Sequence, residues 1–317
     1  MERVLVTGGA GFIGSRLVHE LVRTGVTVRV LDNLSSGRVD RLEGLGRRVE
    51  LAVGDVRNAV ACRNAARGVD TVFHLAALVS VPQSVADPVQ SEAINSGGTL
   101  NMLLAARDVG VRRLVFSSSS AVYGDTDVLP TPETVLPRPA SPYGIQKLMG
   151  EHYARCFLSL YGLETVSLRY FNVYGPGQDP SSPYAAAIPK FLTRLLRGEA
   201  PSVFGDGEQT RDFCFVDDVV AANLLAASVV SPAAVGNVFN IATGSRISLN
   251  DLLPRIQKSI DTAVPVHYEP EREGDIKHSG ADIASARALL GYEPRTTLDA
   301  GLRQTAEYYR TTAKPAF

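Results

Sequence analysis

The chain has 317 residues, with 32 Lys and Arg against 33 Asp and Glu, and no long run of either sign. This balance argues against the charged face that nucleic acids or anionic membranes require, so we expect a small-molecule partner, no nucleic acid and no membrane. The three cysteines, Cys62, Cys156 and Cys214, lack metal-ligand or CxxC spacing, which predicts no disulfide framework and no metal. Without a signal segment or an apolar run of about 18 residues, we expect a soluble cytoplasmic protein.

Short β-branched apolar runs recur through the first two thirds of the chain, with helix-period segments between most of them. The predicted strands lie at about 3–7, 26–31, 49–53, 70–75, 112–117, 164–169 and 237–241. Such alternation indicates a parallel sheet, and the nearly continuous apolar character of the runs indicates helices on both faces. The sequence therefore predicts an α/β, doubly wound, Rossmann-type fold with about seven parallel strands.

After about residue 171 the alternation gives way to loops and helix-period segments. These predicted helices lie at 187–197, 218–229, 249–260, 282–290 and 299–311. We therefore predict a dinucleotide-binding domain of residues 1–170 plus about 213–245. A smaller, mixed α/β substrate lobe should comprise about 171–212 plus 246–317, since a chain of this length exceeds one ordinary domain.

A glycine motif follows the first predicted strand, with Gly8, Gly11 and Gly14 between that strand and a helix-period segment. In this context glycines allow a tight turn and close approach of the backbone to a pyrophosphate at a helix N-terminus. The next strand ends in Asp32, whose carboxylate can accept hydrogen bonds from an adenosine ribose and would repel a 2′-phosphate. The sequence thus predicts NAD, against the alternative of an ordinary glycine turn capped by Asp32.

Further cofactor contacts are expected at the carboxyl ends of the strands, where ligands of open α/β sheets collect. The predicted residues are Phe12, Ile13, Asn33, Ser35, Ser36, Gly37, Asp55, Val56, Leu75, Ala76 and Ala77. For Asp55 the alternative of a simple turn cap stays open.

Tyr143 and Lys147 are spaced i,i+4 in a segment with helix periodicity, so their side chains share one face. A nearby ammonium lowers the pKa of a phenol, so we expect Tyr143 to act as a general base near neutral pH. Such a pair alone is also typical of a solvated helix surface. Its support is the serine run at 117–120, which directly follows an apolar strand and so lies at the same edge of the sheet.

Together with Arg169-Tyr170-Phe171-Asn172-Val173-Tyr174-Gly175-Pro176, these motifs resemble the extended short-chain dehydrogenases, specifically the UDP-hexose 4-epimerases, over nearly the whole chain. The resemblance implies Ser119 as catalytic hydroxyl, Tyr143 as base, and Lys147 as the group that holds the tyrosine and the nicotinamide ribose. Ser120, which replaces a frequent alanine, is expected to share this work. The implied reaction removes the proton and hydride at C4, rotates the 4-keto sugar and returns the hydride, so NAD should remain bound.

The resemblance assigns further contacts to cofactor and substrate. It implies cofactor contacts at Asn95, Ser117 and Tyr170, and substrate contacts at Ser119, Tyr143, Asn172, Ala187, Phe204, Arg211, Arg272, Asp275 and Ser279. Two guanidiniums can clamp a diphosphate, although each could instead form a surface ion pair. Ser279 aligns with a position where a small residue leaves room for an N-acetyl group, so we expect UDP-GlcNAc and UDP-GalNAc to be accepted beside UDP-glucose and UDP-galactose.

Two positions depart from the family pattern: Val79 stands where some epimerases place a lysine on the cofactor phosphates, and Gln146 where serine is frequent. The first bears on how tightly NAD is retained. His74, at a predicted strand end, is interpreted as structural rather than as an acid or base. Helices at 90–108 and 143–161 predict a homodimer by analogy with the family.

Three other kinds of function compete with this interpretation. A 4,6-dehydratase of this family carries an Asp-Glu pair after the hydroxyl residue, and Ser120-Ala121 stands there instead, which argues against dehydration. UDP-glucuronate 4-epimerisation or decarboxylation stays open, because it chiefly needs a carboxylate pocket. A regulator that senses NAD without turnover is the alternative outside enzymes.

Overall fold

The predicted strands form a seven-stranded parallel sheet in the computed structural model, which describes residues 1–180, 187–271 and 276–312. The strands in chain order are β1 Arg3–Thr7, β2 Thr27–Asp32, β3 Val49–Val53, β4 Thr71–His74, β5 Arg113–Ser119, β6 Glu164–Tyr170, β7 Asn172–Tyr174, β8 Ser202–Phe204, β9 Thr210–Arg211, β10 Phe213–Phe215, β11 Val238–Ile241, β12 Ile247–Ser248 and β13 His267–Glu269. The sheet order is β11-β6-β5-β4-β1-β2-β3, with every neighbouring pair parallel. The strand order reverses between β1 and β4, which places a ligand crevice at their carboxyl ends.

Helices cover both faces of this sheet. The helices in chain order are α1 Phe12–Arg23, α2 Ala59–Ala66, α3 Val81–Ala86, α4 Pro88–Glu92, α5 Gly98–Asp108, α6 Pro142–Tyr161, α7 Ala187–Leu196, α8 Val216–Ser228, α9 Leu249–Ser259, α10 Ala284–Leu290 and α11 Leu298–Thr312. Of these, α7, α9 and α11 pack together away from the sheet. Along β1, Val4 and Val6 join the apolar cluster of α1 and α8, whereas Leu5 joins that of α2 and α5. Because alternate residues are buried on opposite faces, the prediction of a doubly wound Rossmann-type fold is confirmed.

A third apolar cluster contains residues of α7, α9 and α11, together with Tyr174 and Phe215 from the short strands. Three two-stranded pieces accompany it: β7 with β10, β9 with β12, and β8 with β13. The proposed division at 1–170 plus 213–245 and 171–212 plus 246–317 stays a prediction.

Among the described residues, the helices include none that is both long enough and apolar enough to cross a bilayer.

Candidate active site

A cavity of about 820 Å³ opens at the carboxyl ends of the central strands, where the strand order reverses. Most of the predicted cofactor and reacting residues line it: Gly8, Gly11, Phe12, Ile13, Gly14, Asp32, Asn33, Ser35, Ser36, Asp55, Val56, Leu75, Ala76, Ala77, Ser117, Ser119, Tyr143, Lys147 and Tyr170. Residues distant in sequence thus meet in one space large enough for a dinucleotide, as expected of a ligand site in an open α/β sheet.

The glycine turn forms a cradle that side chains would fill. Gly8 has φ +69°, and a Cβ there would lie 2.9 Å from the amide nitrogen of Ala76. A Cβ on Gly14 would lie only 2.1 Å from the carbonyl oxygen of Gly8. The backbone is therefore open to a pyrophosphate at the N-terminus of α1, which fits NAD.

Asp32 is held rigidly at the end of β2. The amides of Ala10 and Leu34 donate to its two carboxylate oxygens at 2.9 and 2.8 Å. Each oxygen keeps further acceptor capacity for a ribose hydroxyl. Gly37 does not line the cavity, but a Cβ there would lie 2.7 Å from the Asp32 carboxylate, so its role is to let the chain pass this residue.

Asp55 follows β3 and also lines the cavity. Arg57 and Asn33 donate to its carboxylate at 2.7 and 2.9 Å. The Arg57 guanidinium, with Asn33, holds the pKa of this carboxyl far below its usual range. Asp55 is consequently an anion at the cavity edge and not a proton donor.

Lys147 and Tyr143 lie together on α6, facing the end of β5. The Lys147 ammonium donates to the carbonyl oxygen of Ser117 at 2.8 Å and lies 5.8 Å from the centre of the Tyr143 ring. Burial lowers the pKa of Lys147 to about 8, and the Glu151 carboxylate opposes that shift. The predicted pair therefore shares one buried face, and Lys147 is charged at neutral pH.

The expectation of a lowered pKa for Tyr143 is wrong in this structure. Burial raises the pKa of the phenol to about 12, and a hydrogen bond with Ser119 only partly opposes it. Ser119 ends β5, where its hydroxyl oxygen also accepts from the amide of Ala121 at 3.2 Å. Desolvation raises the pKa by more than the hydrogen bond lowers it, because the phenol is almost fully enclosed by the fold. The i,i+4 spacing does not reveal this enclosure.

Tyr170 lies beside the reacting groups at the end of β6. Its hydroxyl is 3.0 Å from the hydroxyl of Ser117 and accepts a hydrogen bond from the side-chain Nδ2 of Asn223 at 2.8 Å. Asn223 is a fully buried residue of α8, and no local sequence pattern distinguishes it, so the sequence does not predict this contact. Ser120 lies in the turn after β5 and does not belong to the cavity lining.

Asn95 lies behind the cavity wall rather than in it. Its side chain accepts from the amide of Leu78 at 2.8 Å and donates to the same residue's carbonyl at 3.0 Å. It also donates to the side-chain oxygen of Gln146 at 2.8 Å, and Ser91 donates to that oxygen at 2.7 Å. Gln146, the departure from serine, thus connects α6 to the loop that lines the cavity, and Asn95 acts on the cofactor space through Leu78.

Ser119 and Tyr143 apart, the described residues that were predicted to hold the substrate lie outside the lining of this cavity. Asn172 donates to the carbonyl of Asp212 at 3.2 Å, and the Arg211 guanidinium donates to the carbonyl of Lys277 at 3.1 Å. The Ser279 amide donates to the carbonyl of Thr210 at 3.0 Å, which places it next to Arg211. Ala187 begins α7 and Phe204 ends β8, while Arg272 and Asp275 lie outside the described residues.

Val79, the other departure, is 70% exposed and lines the same cavity. Its isopropyl group supplies no charge there for a phosphate.

His74 connects β1, β4 and α5 through a chain of hydroxyls. Its Nδ1 is 2.8 Å from the Thr7 hydroxyl, and its Nε2 is 3.1 Å from the Thr99 hydroxyl. The Ala76 amide donates to Thr7, so the histidine fixes the loop that lines the cavity. Burial, with the Lys147 charge, lowers the pKa of His74 to about 3, so the ring is neutral.

Replacing His74 with Gln should make stability less sensitive to acid. The pKa of His74 is about 3 in the fold against an ordinary 6.5, so between these values the unfolded chain binds a proton that the folded chain does not. Stability therefore falls as pH falls, with a contribution from this group approaching about 1.4 kcal/mol per pH unit. Urea unfolding from about pH 7 to about pH 5 should show a shallower decline for His74→Gln, and parallel declines would contradict the assignment.

A dinucleotide cavity that ends in a serine hydroxyl, a tyrosine and a lysine defines an NAD-dependent enzyme of the extended short-chain dehydrogenase type. The sequence profile of the NAD dependent epimerase/dehydratase family matches residues 4–242. The chain belongs to this family, NAD is its cofactor, and its activity is of the isomerase class.

Full-length relatives agree with this assignment. The UDP-glucose 4-epimerase of Mycolicibacterium smegmatis is 39% identical over 312 residues, 97% of this chain and 98% of that protein. The UDP-N-acetylglucosamine 4-epimerase of Methanobrevibacter ruminantium, solved with UDP-N-acetylmuramic acid, superposes with a TM-score of 0.93 at 40% identity over 98% of both chains. The UDP-glucose 4-epimerase of Thermotoga maritima, solved with UDP-glucose, gives 0.93 at 41% identity over 98% of this chain and 100% of that one.

Proposed function

We propose that the protein is a nucleotide-sugar 4-epimerase that interconverts UDP-glucose with UDP-galactose and UDP-GlcNAc with UDP-GalNAc. The observation that carries the proposal is the convergence of Ser119, Tyr143 and Lys147 on the cavity that also holds the glycine cradle and Asp32. Ser120 and Ala121 follow the catalytic hydroxyl, so no acid and base pair for dehydration stands in this turn.

In this mechanism the side chains move one proton and hold the charge that appears with it. NAD, when bound, supplies the hydride acceptor and donor. Tyr143 takes the proton of the sugar 4-hydroxyl and later returns it. Meanwhile the Ser119 hydroxyl forms hydrogen bonds with the sugar 4-oxygen and with the phenol oxygen of Tyr143. Because burial raises the pKa of Tyr143 to about 12 even with its hydrogen bond to Ser119, its phenolate needs further stabilisation. We assign that role to the Lys147 ammonium, 5.8 Å from the ring centre.

The substrate side rests on the arrangement of the second lobe. Arg211 lies beside the Lys277–Ser279 segment, which supports a diphosphate contact next to the sugar. Arg272 and Asp275 are proposed as further contacts from the sequence alone. The relatives act on UDP sugars, one of them solved with an N-acetylated nucleotide sugar, which supports the same substrate class here.

The direct test offers the purified protein UDP-glucose, UDP-galactose, UDP-GlcNAc, UDP-GalNAc and UDP-glucuronate without added reductant, and identifies the products by NMR. Formation of the 4-epimers of the first four sugars is the expected outcome. A 4-keto-6-deoxy sugar, a pentose from UDP-glucuronate or no product at all would each contradict the proposal.

Ser279→Tyr should shift the protein towards sugars without an N-acetyl group. A phenol would fill the space that serine leaves at this position, and a steric change in a sugar pocket changes discrimination on the order of 10- to 100-fold. We expect kcat/KM for UDP-GlcNAc to fall by that factor relative to UDP-glucose. Ser279→Ala is the matched control and should keep the parent ratio, whereas an unchanged ratio in Ser279→Tyr would remove this residue from substrate selection.

We also propose a homodimer formed through the predicted helices at 90–108 and 143–161, which correspond to the end of α4 with α5 and to α6. Val89 of α4 is 78% exposed, and Ile145 and Leu160 of α6 are 50% and 66% exposed. Apolar side chains on neighbouring helices suit a symmetric contact with a second copy. Light scattering should give twice the chain mass, and a monomer at micromolar concentration would contradict the proposal.

A further inference from the structure

A buried ion pair lies directly behind the reacting groups. The Arg169 guanidinium donates to the Glu151 carboxylate at 2.6 and 2.8 Å, and the two side chains are only 5% and 4% exposed. The same carboxylate accepts from the hydroxyl of Ser118. Burial of two charges is costly, so such a pair is weak evidence for stabilisation and calls for another role.

The pair joins the three elements that carry the reacting groups. Ser118 of β5 lies opposite Arg169 of β6, and the next residues along, Ser119 and Tyr170, are also opposite each other. Glu151 lies one helical turn after Lys147 on α6. One carboxylate therefore fixes α6 against both strands, one residue away from the catalytic hydroxyl.

We infer that Glu151 and Arg169 are a positioning pair, which holds Lys147 against the Ser117 carbonyl and Tyr143 against Ser119. The inference rests on the proposed function. Neither residue lines the cavity, so both act through the groups they hold.

The pair also affects the charge of Lys147. The groups that face this ammonium are Tyr143 and Glu151 on its own helix and the neutral His74 from β4, while Arg169 stands behind Glu151 on β6. Burial lowers the pKa of Lys147 to about 8, and Glu151 supplies the opposing effect. Because a lysine loses its proton as pH rises through its pKa, loss of the Glu151 charge should discharge Lys147 at lower pH.

The test removes both charges together, because Glu151→Gln alone would leave a buried guanidinium unpaired. In Glu151→Gln/Arg169→Met, the amide oxygen can still accept from Ser118 and the methionine fills the space of the arginine stem. The matched control is Arg113→Met/Glu164→Gln, because Arg113 and Glu164 form a 2.8 Å ion pair between the same two strands at their other end. Folding is checked by circular dichroism and thermal unfolding.

We expect the Glu151→Gln/Arg169→Met protein to lose kcat on the order of 10- to 100-fold, with little change in KM for the UDP sugar. The alkaline limb of its kcat profile should move to lower pH, and the control should keep the parent profile. Parent-like kcat and alkaline limb, or equal losses in both double variants, would overturn the inference. If the double variant fails to fold, Ser118→Ala decides: a several-fold loss of kcat supports the pair, and parent kcat overturns it.

Calorimetric titration with NAD separates this inference from the proposed function, because it needs no turnover. Lys147 faces the cavity, so the double variant should bind NAD more weakly than the parent. As pH rises, its affinity for NAD should begin to fall at a lower pH than the affinity of the parent does. If the parent converts no nucleotide sugar, the proposed function fails while this titration still tests the pair. NAD affinity equal to the parent's at every pH would overturn the inference.

Discussion

Tyr143→Phe should lower kcat for 4-epimerisation on the order of 100- to 10,000-fold, the range lost when a positioned acid or base is removed. Tyr143 is 8% exposed, so the phenyl ring keeps the packing and only the hydroxyl that meets Ser119 disappears. NAD affinity and thermal stability should therefore stay close to those of the parent. Product formation followed by NMR at equal protein concentration measures the change.

The matched control is Tyr123→Phe, which removes the hydroxyl of another buried tyrosine. That hydroxyl donates to Asn240 at 2.7 Å and lies outside the cavity lining. Its loss should cost about 1 kcal/mol of stability with little effect on kcat. Equal product formation by Tyr143→Phe and parent would take the tyrosine out of the mechanism. Absence of product from both proteins would instead favour a protein that senses NAD without converting a sugar.

The main sheet could be predicted because each of its strands carries a local signal. Runs such as Leu114-Val115-Phe116 are continuous and apolar, since helices cover both faces there. The short two-stranded pieces are different: β9 and β12 have two residues each, too few for any periodicity. Their pairing depends on tertiary contacts, which no sequence window contains.

The candidate site likewise contains some residues that local sequence predicts and others that depend on tertiary contacts. Gly8, Gly14 and Asp32 follow from local chemistry, because a tight turn and a strand-end carboxylate are encoded within a few residues. Asn223 could not be predicted, because its contact with Tyr170 joins residues 53 positions apart.

The direction of the pKa shift at Tyr143 also could not be predicted from the sequence. The spacing to Lys147 suggested a lowered pKa, but burial by the surrounding elements raises it to about 12. Local spacing can place two groups on one face, whereas the solvent they lose is decided by the whole fold. Residues can thus be selected from motifs, and their protonation has to be read from the packed structure.

Gly14→Ala should lower NAD affinity on the order of 10- to 100-fold, the effect of losing one charge-assisted hydrogen bond from a backbone amide. The new Cβ would lie 2.1 Å from the Gly8 carbonyl oxygen and 2.8 Å from the Gly9 Cα, so the turn that we propose faces the pyrophosphate has to move. Gly97→Ala is the matched control, since the nearest atom to a Cβ there is 3.8 Å away. Calorimetric titration with NAD compares them, and because the cofactor serves both halves of the reaction, kcat at limiting NAD should fall in the same order. Equal affinities in the two variants would mean that the turn does not hold the pyrophosphate as closely as its geometry requires.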